Sequence, residues 1–213
     1  MEAKDAKSRI LKAGARIVLE KGYCDTGLAE VLEAAKVPKG SFYFHFKSKE
    51  DFGLQLVDTF AGTLKAARDS VLRDESLTCL ERIREMFRRQ TELFRKHGFK
   101  GGCPIGNLSQ EMGDRSPLFR KKLKQVFGEL RADLAGQLCL AREKGEMNEA
   151  LDPEETADFI LSSWQGALLQ MKVAQSTAPF DVFDRMIFER LLRPFPGKNK
   201  KTIINNQLLI LNC

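Results

Sequence analysis

The stretch from Thr26 to Glu50, TGLAEVLEAAKVPKGSFYFHFKSKE, restricts this chain more than any other part of it. From Gly27 to Ala35 it reads as a short helix capped by Thr26, with Leu28, Val31, Leu32 and Ala35 recurring at helical spacing. Lys36-Val37-Pro38 then makes a tight turn. Pro38 suits the first turn of a second short helix, where a missing N–H leaves nothing unpaired. That second helix carries Lys39, Gly40, Ser41, Tyr43 and His45. Two short helices joined by a tight turn, the second rich in small, basic and hydroxyl-bearing residues, outline a DNA-reading helix-turn-helix. An ordinary helical hairpin fits the same pattern.

The flanking segments extend this stretch into a module. Between Lys4 and Lys21, Ile10, Leu11, Ile17 and Val18 share one helical face, and Lys7, Lys12, Arg16 and Lys21 lie largely elsewhere. Gly22 ends that helix. Packed across the two short helices, it makes a three-helix unit of about 45 residues, the usual scale of such domains. Ser48 reads as the N-cap of a long fourth helix, with Glu50 and Asp51 in its first turn, running to about Arg73 and linking the unit to the rest. The charge distribution separates the two parts. Residues 1–50 hold ten Lys/Arg against seven Asp/Glu, residues 51–194 hold 22 against 22, and residues 195–213 add three lysines. A basic head on a neutral body suits a protein that grips phosphates with one part.

Beyond the fourth helix the pattern stays helical, with no alternating run that reads as a strand. Leu77–Lys96 closes at His97-Gly98. A glycine loop precedes Cys103-Pro104 and a short helix with Ile105, Leu108 and Met112. Ser116-Pro117 starts another long helix, and Asp152-Pro153-Glu154-Glu155 is a strong helix start. From Phe159 to Ala174 there is one charge in sixteen residues, so this helix is expected to be buried on nearly every side. Pro179 breaks it before a last amphipathic helix. The expected fold is all-α: a helix-turn-helix domain over 1–47, a helical ligand-binding and dimerisation domain over 48–194, and a tail over 195–213 without a clear assignment.

The N-terminus lacks an apolar core of signal-peptide length, and no run approaches the roughly 18 apolar residues of a membrane span. A cytoplasmic protein without membrane contact is expected. Cys24, Cys79, Cys103, Cys139 and Cys213 are odd in number and contain no CxxC pair, against both a disulfide framework and a zinc site. With two histidines, no nucleophile–base pair and no phosphate loop, neither a cofactor nor an enzymatic activity is expected.

From about Ser8 to Val57 the chain closely resembles the TetR family of bacterial transcriptional regulators. The match lies in Gly22 ending the first helix, Thr26, the LAEVLEAAKV helix, the KGSFYFHF recognition helix and the FKSKEDF entry to the fourth. The resemblance implies a homodimer that binds a palindromic double-stranded DNA operator and is released by a small molecule held in the C-terminal body. Carried over by residue, it implies that Lys39, Tyr43 and His45 touch phosphates or base edges, that Thr26 caps the second helix, and that Lys49 meets a phosphate. Gly40 would let the helix approach DNA, and Ser41 is a candidate base contact. Phe44 departs from the polar aromatic or histidine common there. Phe42 and Phe46 are expected in the core.

The loop GGCPIGNLSQE around Cys103 looks like a loop in family members that sense reactive electrophiles. With Pro104 at the first helical position, Cys103 falls at the N-cap, where partial positive charge favours a thiolate, and Lys172 is a candidate neighbouring cation. A small buried core cysteine is the other reading. Further ligand-pocket candidates are Phe94, Phe99, Asn107, Glu111, Trp164, Gln165, Leu168 and Met171. Trp164, Gly166 and Met171 with Phe180, Phe183 and Ile187 fit a dimer seam equally well. The functional alternative is an all-helical carrier of small hydrophobic ligands without specific DNA binding.

Overall fold

The computed structural model describes residues 2–194, and the 195–213 tail lies outside them. The regular secondary structure of the described residues is all helical, with no strand among them. Helix α1 spans Glu2–Lys21, α2 Leu28–Ala34, and a 3₁₀ turn at Lys39–Ser41 leads into a one-turn α3, Phe42–His45. The longer helices follow: α4 Lys49–Leu72, α5 Cys79–Lys96, α6 Pro104–Met112, α7 Pro117–Glu143 and α8 Pro153–Ala174. The last helix, α9, spans Ala178–Asp184 and continues as a π-helical stretch, Arg185–Leu191.

Local chemistry sets most of these boundaries. Gly22 ends α1 with φ of 93°, a backbone angle that a side chain would strain. The Ser48 hydroxyl accepts the Asp51 N–H at 3.0 Å at the start of α4, and Thr78 and Glu81 form a reciprocal capping box at the start of α5. Asp152, with Pro153 behind it, accepts the Glu155 N–H at 2.9 Å. Thr26 differs from the expectation. The N-cap of α2 is Gly27 and makes no side-chain cap, because the buried Thr26 hydroxyl turns back to donate to the Gly22 carbonyl. Thr26 therefore closes the α1–α2 turn and does not cap α2.

Two apolar clusters hold the helices together. The lower one joins Ile10, Val31, Phe42, Phe46, Phe52 and Leu56 to Ile105 and Leu108 of α6 and to Phe119, Leu123 and Val126 of α7. It therefore runs across the expected 47/48 division. Each fully buried phenylalanine contributes about 1.5–3 kcal/mol. Within this cluster α1 and α4 touch where Gly14 faces the Phe52 ring, and a Cβ on Gly14 would lie 2.3 Å from Phe52 Cζ. The upper cluster packs Ile83 and Phe87 of α5 against Leu138 of α7, Ile160, Trp164 and Met171 of α8, and Phe183 of α9. The Trp164 ring lies 4.8 Å from those of both Phe87 and Phe180.

Helix α8 is buried on one face only, in contrast to the all-round burial its composition suggested. Trp164, Leu168 and Met171 face the core, whereas Phe159, Leu169 and Val173 are exposed, Val173 by 82%. Phe159, together with exposed Val182 of α9 and Met186 of the π-helical stretch, lines a largely apolar recess of about 600 Å³ that also includes Ser163 and Gln170. No helix among the described residues is long and apolar enough to cross a membrane.

Candidate nucleic-acid interface and internal chamber

The short α3 presents two different faces. Phe42 and Phe46 are buried against Phe52, with ring centroids 5.8 and 5.2 Å from it. On the other side Lys39 and Gly40 are exposed, Tyr43 and Phe44 stand out at 71% and 79% exposure, and Ser41 and His45 are half-buried. The buried pair fixes how α3 is held, and thereby aims the exposed row outward. A Cβ on Gly40 would meet nothing within 4 Å. Phe44 packs edge-on against His45, centroids 5.1 Å apart. Lys36 takes a left-handed φ of 54° in the turn before α3, and Arg9 Nη1 of α1 reaches the carbonyls of Ala35 and Lys36, each at 3.3 Å.

Lys49 begins α4 beside this face. Its Nζ donates to the Cys24 carbonyl at 3.2 Å and sits 5.1 Å above the Tyr23 ring. Tyr23 is buried, with its hydroxyl donating to the Lys49 carbonyl at 2.7 Å. Burial pushes its phenol well above the ordinary range. Nearby, hydrogen bonds from Gln55 and from the Lys47 N–H hold the Asp51 carboxyl below the usual carboxylate range.

Glu111 reaches back to the head. Its two oxygens accept the Tyr23 N–H at 3.1 Å and the Cys24 N–H at 2.8 Å, so it clasps the turn after α1. Its helix, α6, begins at Cys103, whose sulfur accepts the Gly106 N–H at 3.5 Å and so occupies the expected N-cap position. One nine-residue helix thus has the thiol at one end and a grip on the head near the other.

The remaining candidates divide into groups. Cys103, Trp164 and Gln165 line a chamber of about 50 Å³ inside the body, together with Leu64, Arg68, Leu72, Met86, Phe87, Gln90, Leu130, Leu134 and Leu161. Asn107 and Lys172 form a separate network beside it. Lys172 Nζ donates to Asn107 Oδ1 at 3.0 Å, and Asn107 Nδ2 donates to the Gly101 carbonyl at 2.8 Å. Lys172 also packs over buried Gly102, so it braces the loop that carries Cys103. Leu168 and Met171 are core residues, while Phe94 stacks on Phe180 at 6.0 Å and Phe99 packs at the cluster edge. These four do not line the chamber. Trp164, Met171, Phe180, Phe183 and Ile187, weighed above as a dimer seam, are buried within the chain itself.

Sequence reasoning missed Arg68. No local signal marks it, because its partner is 65 residues away: Nε donates to Asp133 Oδ2 at 3.0 Å and Nη2 to the same oxygen at 2.5 Å.

An all-α chain with a three-helix reading head, a recognition turn backed by its own core and a larger helical body belongs to the class of helix-turn-helix DNA-binding regulators. Residues 10–56 match the family described as bacterial regulatory proteins, tetR family, and residues 79–187 match the tetracyclin repressor-like C-terminal domain. The chain belongs to the TetR family. It is 34% identical over 186 residues to the HTH-type transcriptional repressor DhaR of Mycobacterium sp. strain GP1, covering 87% of this chain and 92% of that one. The crystal structure of a TetR regulatory protein from Rhodobacter sphaeroides superposes with a TM-score of 0.82 at 35% identity, over 88% of this chain and 99% of that one. Reduced NemR from E. coli superposes at 0.80 with 28% identity, over 89% and 100%. The protein is accordingly a DNA-binding transcriptional regulator, and the carrier alternative has no support.

Proposed function

We propose that this regulator is a cytoplasmic repressor that binds a palindromic operator as a homodimer and is released by a small molecule or by modification of Cys103. The observation that carries the operator part is the exposed row Lys39, Gly40, Tyr43 on a turn whose Phe42 and Phe46 are locked in the core. Lys39 and Lys49 supply phosphate contacts, which set affinity and salt dependence, while Ser41, Tyr43 and His45 supply the base-edge contacts that set sequence choice. The apolar face of α8 and α9 pairs two copies, placing the two heads on successive major grooves roughly 34–36 Å apart. Release follows when a change at Cys103 shifts α6, whose far end holds the head through Glu111. Support for a thiol trigger comes from the N-cap position of Cys103 on the chamber wall, and from likeness to NemR, whose crystal structure is of a reduced form.

Footprinting on the DNA flanking the gene tests the reading. A symmetric protected site with half-sites one helical turn apart supports it, and protection without symmetry counts against it. Treatment of the complex with N-ethylmaleimide should release DNA from the wild type. Equal release from Cys103→Ser would remove the thiol from the mechanism and leave the ligand route.

A further inference from the structure

The body is neutral as a whole but not in every part of its surface. From Arg115 to Lys124 the chain carries five cations and no acid. Phe119, Leu123 and Val126 turn inward, which leaves Arg120, Lys121 and Lys124 exposed together on the opposite face of α7. Lys122 is taken up by Asp58 at 2.5 Å. Among the described residues Arg120, Lys121 and Lys124 have no hydrogen-bond or ion-pair partner. On α5, by contrast, exposed Arg89 and Arg95 each meet a glutamate within one turn. Nothing local favours the α7 charges. Arg120 and Lys124 repel each other across one turn, and the helix dipole opposes cations near a first turn that holds no acid.

These charges lie at the head end of the body. Helix α7 starts beside the start of α4 and runs away from the head with it: Ser116 donates to Glu50 at 2.5 Å, the Phe119 ring lies against Gly53, Lys122 meets Asp58, and Asp133 meets Arg68. Arg115, just before α7, lies nearer still. Its Nη1 donates to Cys24 Sγ at 3.2 Å, and Lys49 Nζ donates to the carbonyl of that same Cys24, also at 3.2 Å. Two cations, one from the head and one from the body, thus share one residue of the turn after α1. Lys49 itself follows the end of α3 by four residues.

We propose that the head end of the body is a second contact with the DNA backbone, in which Arg115, Arg120 and Lys121 take phosphates next to the one held by Lys49. The proposal rests on the reading of Lys39 to Lys49 as the operator-facing side, and it extends that side onto the body. Phosphate fits the chemistry: all three side chains offer donors only, and the two guanidinium forks match paired phosphate oxygens. A duplex is the polyanion that the neighbouring α3 already brings alongside. Lys124, about one turn further along α7, adds to the field that draws the duplex in. Backbone contacts carry no sequence information, so these residues raise affinity for any duplex and leave the choice of sequence to α3.

The test titrates the full-length protein onto the operator duplex and onto a scrambled duplex of equal length, across a salt series. Arg120→Gln combined with Lys121→Gln removes two charges that the fold does not use, so the melting temperature should stay unchanged. This variant should weaken both complexes by about tenfold or more near 0.1 M salt, and reduce the slope of log affinity against log salt by about one per lost contact. The ratio of operator to scrambled affinity should not move. Arg115→Gln, made separately because Arg115 also touches Cys24, should lower the slope further. Hydroxyl-radical footprinting should show the double variant losing backbone protection beside the positions lost in Lys49→Gln. A slope equal to that of the wild type, with the operator still preferred, overturns the body contact and leaves the operator reading in place. A changed affinity ratio in the double variant also overturns it. If the double variant weakens both complexes while the wild type shows no preference for the operator, the body contact stands and the operator reading falls.

Discussion

Glu111 accepts the backbone N–H of Tyr23 across 88 residues of sequence, and with its second oxygen takes the adjacent Cys24 N–H. A single carboxylate on α6 therefore holds the turn that joins α1 to α2. Hydrogen bonds to a charged acceptor contribute about 1.5–3 kcal/mol each when well formed, so Glu111→Ala should lower unfolding stability by about 2 kcal/mol, and Glu111→Gln by less. Urea denaturation checks the magnitude. If Glu111 also transmits the release signal, Glu111→Gln will retain operator binding and lose its sensitivity to N-ethylmaleimide in an anisotropy titration.

Lys39→Ala and Tyr43→Ala should each weaken operator binding with the melting temperature unchanged, because both side chains are exposed and support no core. The lysine variant should also reduce the slope of log affinity against log salt by about one. Phe46→Ala, one residue beyond α3 and fully buried, should instead cost about 3–5 kcal/mol in a denaturant melt. The contrast between neighbours separates reading from holding.

Gly53 lies where α4 crosses Tyr23 and Phe119, and an added Cβ would come within 2.5 Å of Phe119 Cζ and 2.6 Å of Tyr23 Cε2. Two rings cannot both retreat in a packed interior, so Gly53→Ala should destabilise by about 1–3 kcal/mol. Gly62, on the same helix and exposed, where an added Cβ would meet nothing within 4 Å, serves as the control: Gly62→Ala should be stabilising by about 0.5–1 kcal/mol through helix propensity. Thermal melts of the two variants should move in opposite directions.

The exposed apolar face of α8 and α9 predicts that Val173→Asp and Phe159→Glu leave the fold intact and abolish pairing. Sedimentation at micromolar concentration should show a monomer, and affinity for a full palindrome should fall to that for a half-site. Unchanged sedimentation would place the pairing surface elsewhere.

Asp51 gives the molecule an acid-sensitive joint at the start of α4. Gln55 and the Lys47 N–H hold its carboxyl below the ordinary value. A depressed folded-state value contributes stability that is present above the unfolded carboxylate value of about 3.9 and lost as pH falls through the folded one. Denaturant midpoints should therefore drop below about pH 4, and less steeply in Asp51→Asn.

What was legible in the sequence was local. Ser48, Cys103 and Asp152 could be read as caps because a cap and its partner lie within one helical turn. Phe42 and Phe46 are assigned to the core with the family resemblance, and both are buried. Glu111 and Arg68 gave no such signal, since their partners lie far along the chain, in the turn after α1 and on α7, and only tertiary packing brings them together. Thr26 misled for a different reason. A threonine before a helix has two competing carbonyl and amide partners within reach, and here the Gly22 carbonyl won. The composition of α8 overstated its burial because apolar content alone does not say whether the covering surface belongs to the same chain.

The lower hydrophobic cluster has a consequence for anyone who would rebuild this regulator. Phe42, Phe46 and Phe52 share their interior with Ile105, Leu108 and Phe119, so the reading head borrows part of its inside from the body. A chimera spliced at residue 47 would expose that borrowed wall. A graft that carries α6 and the first turns of α7 along with the head would keep it closed, and would import the donor's own wiring between thiol and DNA.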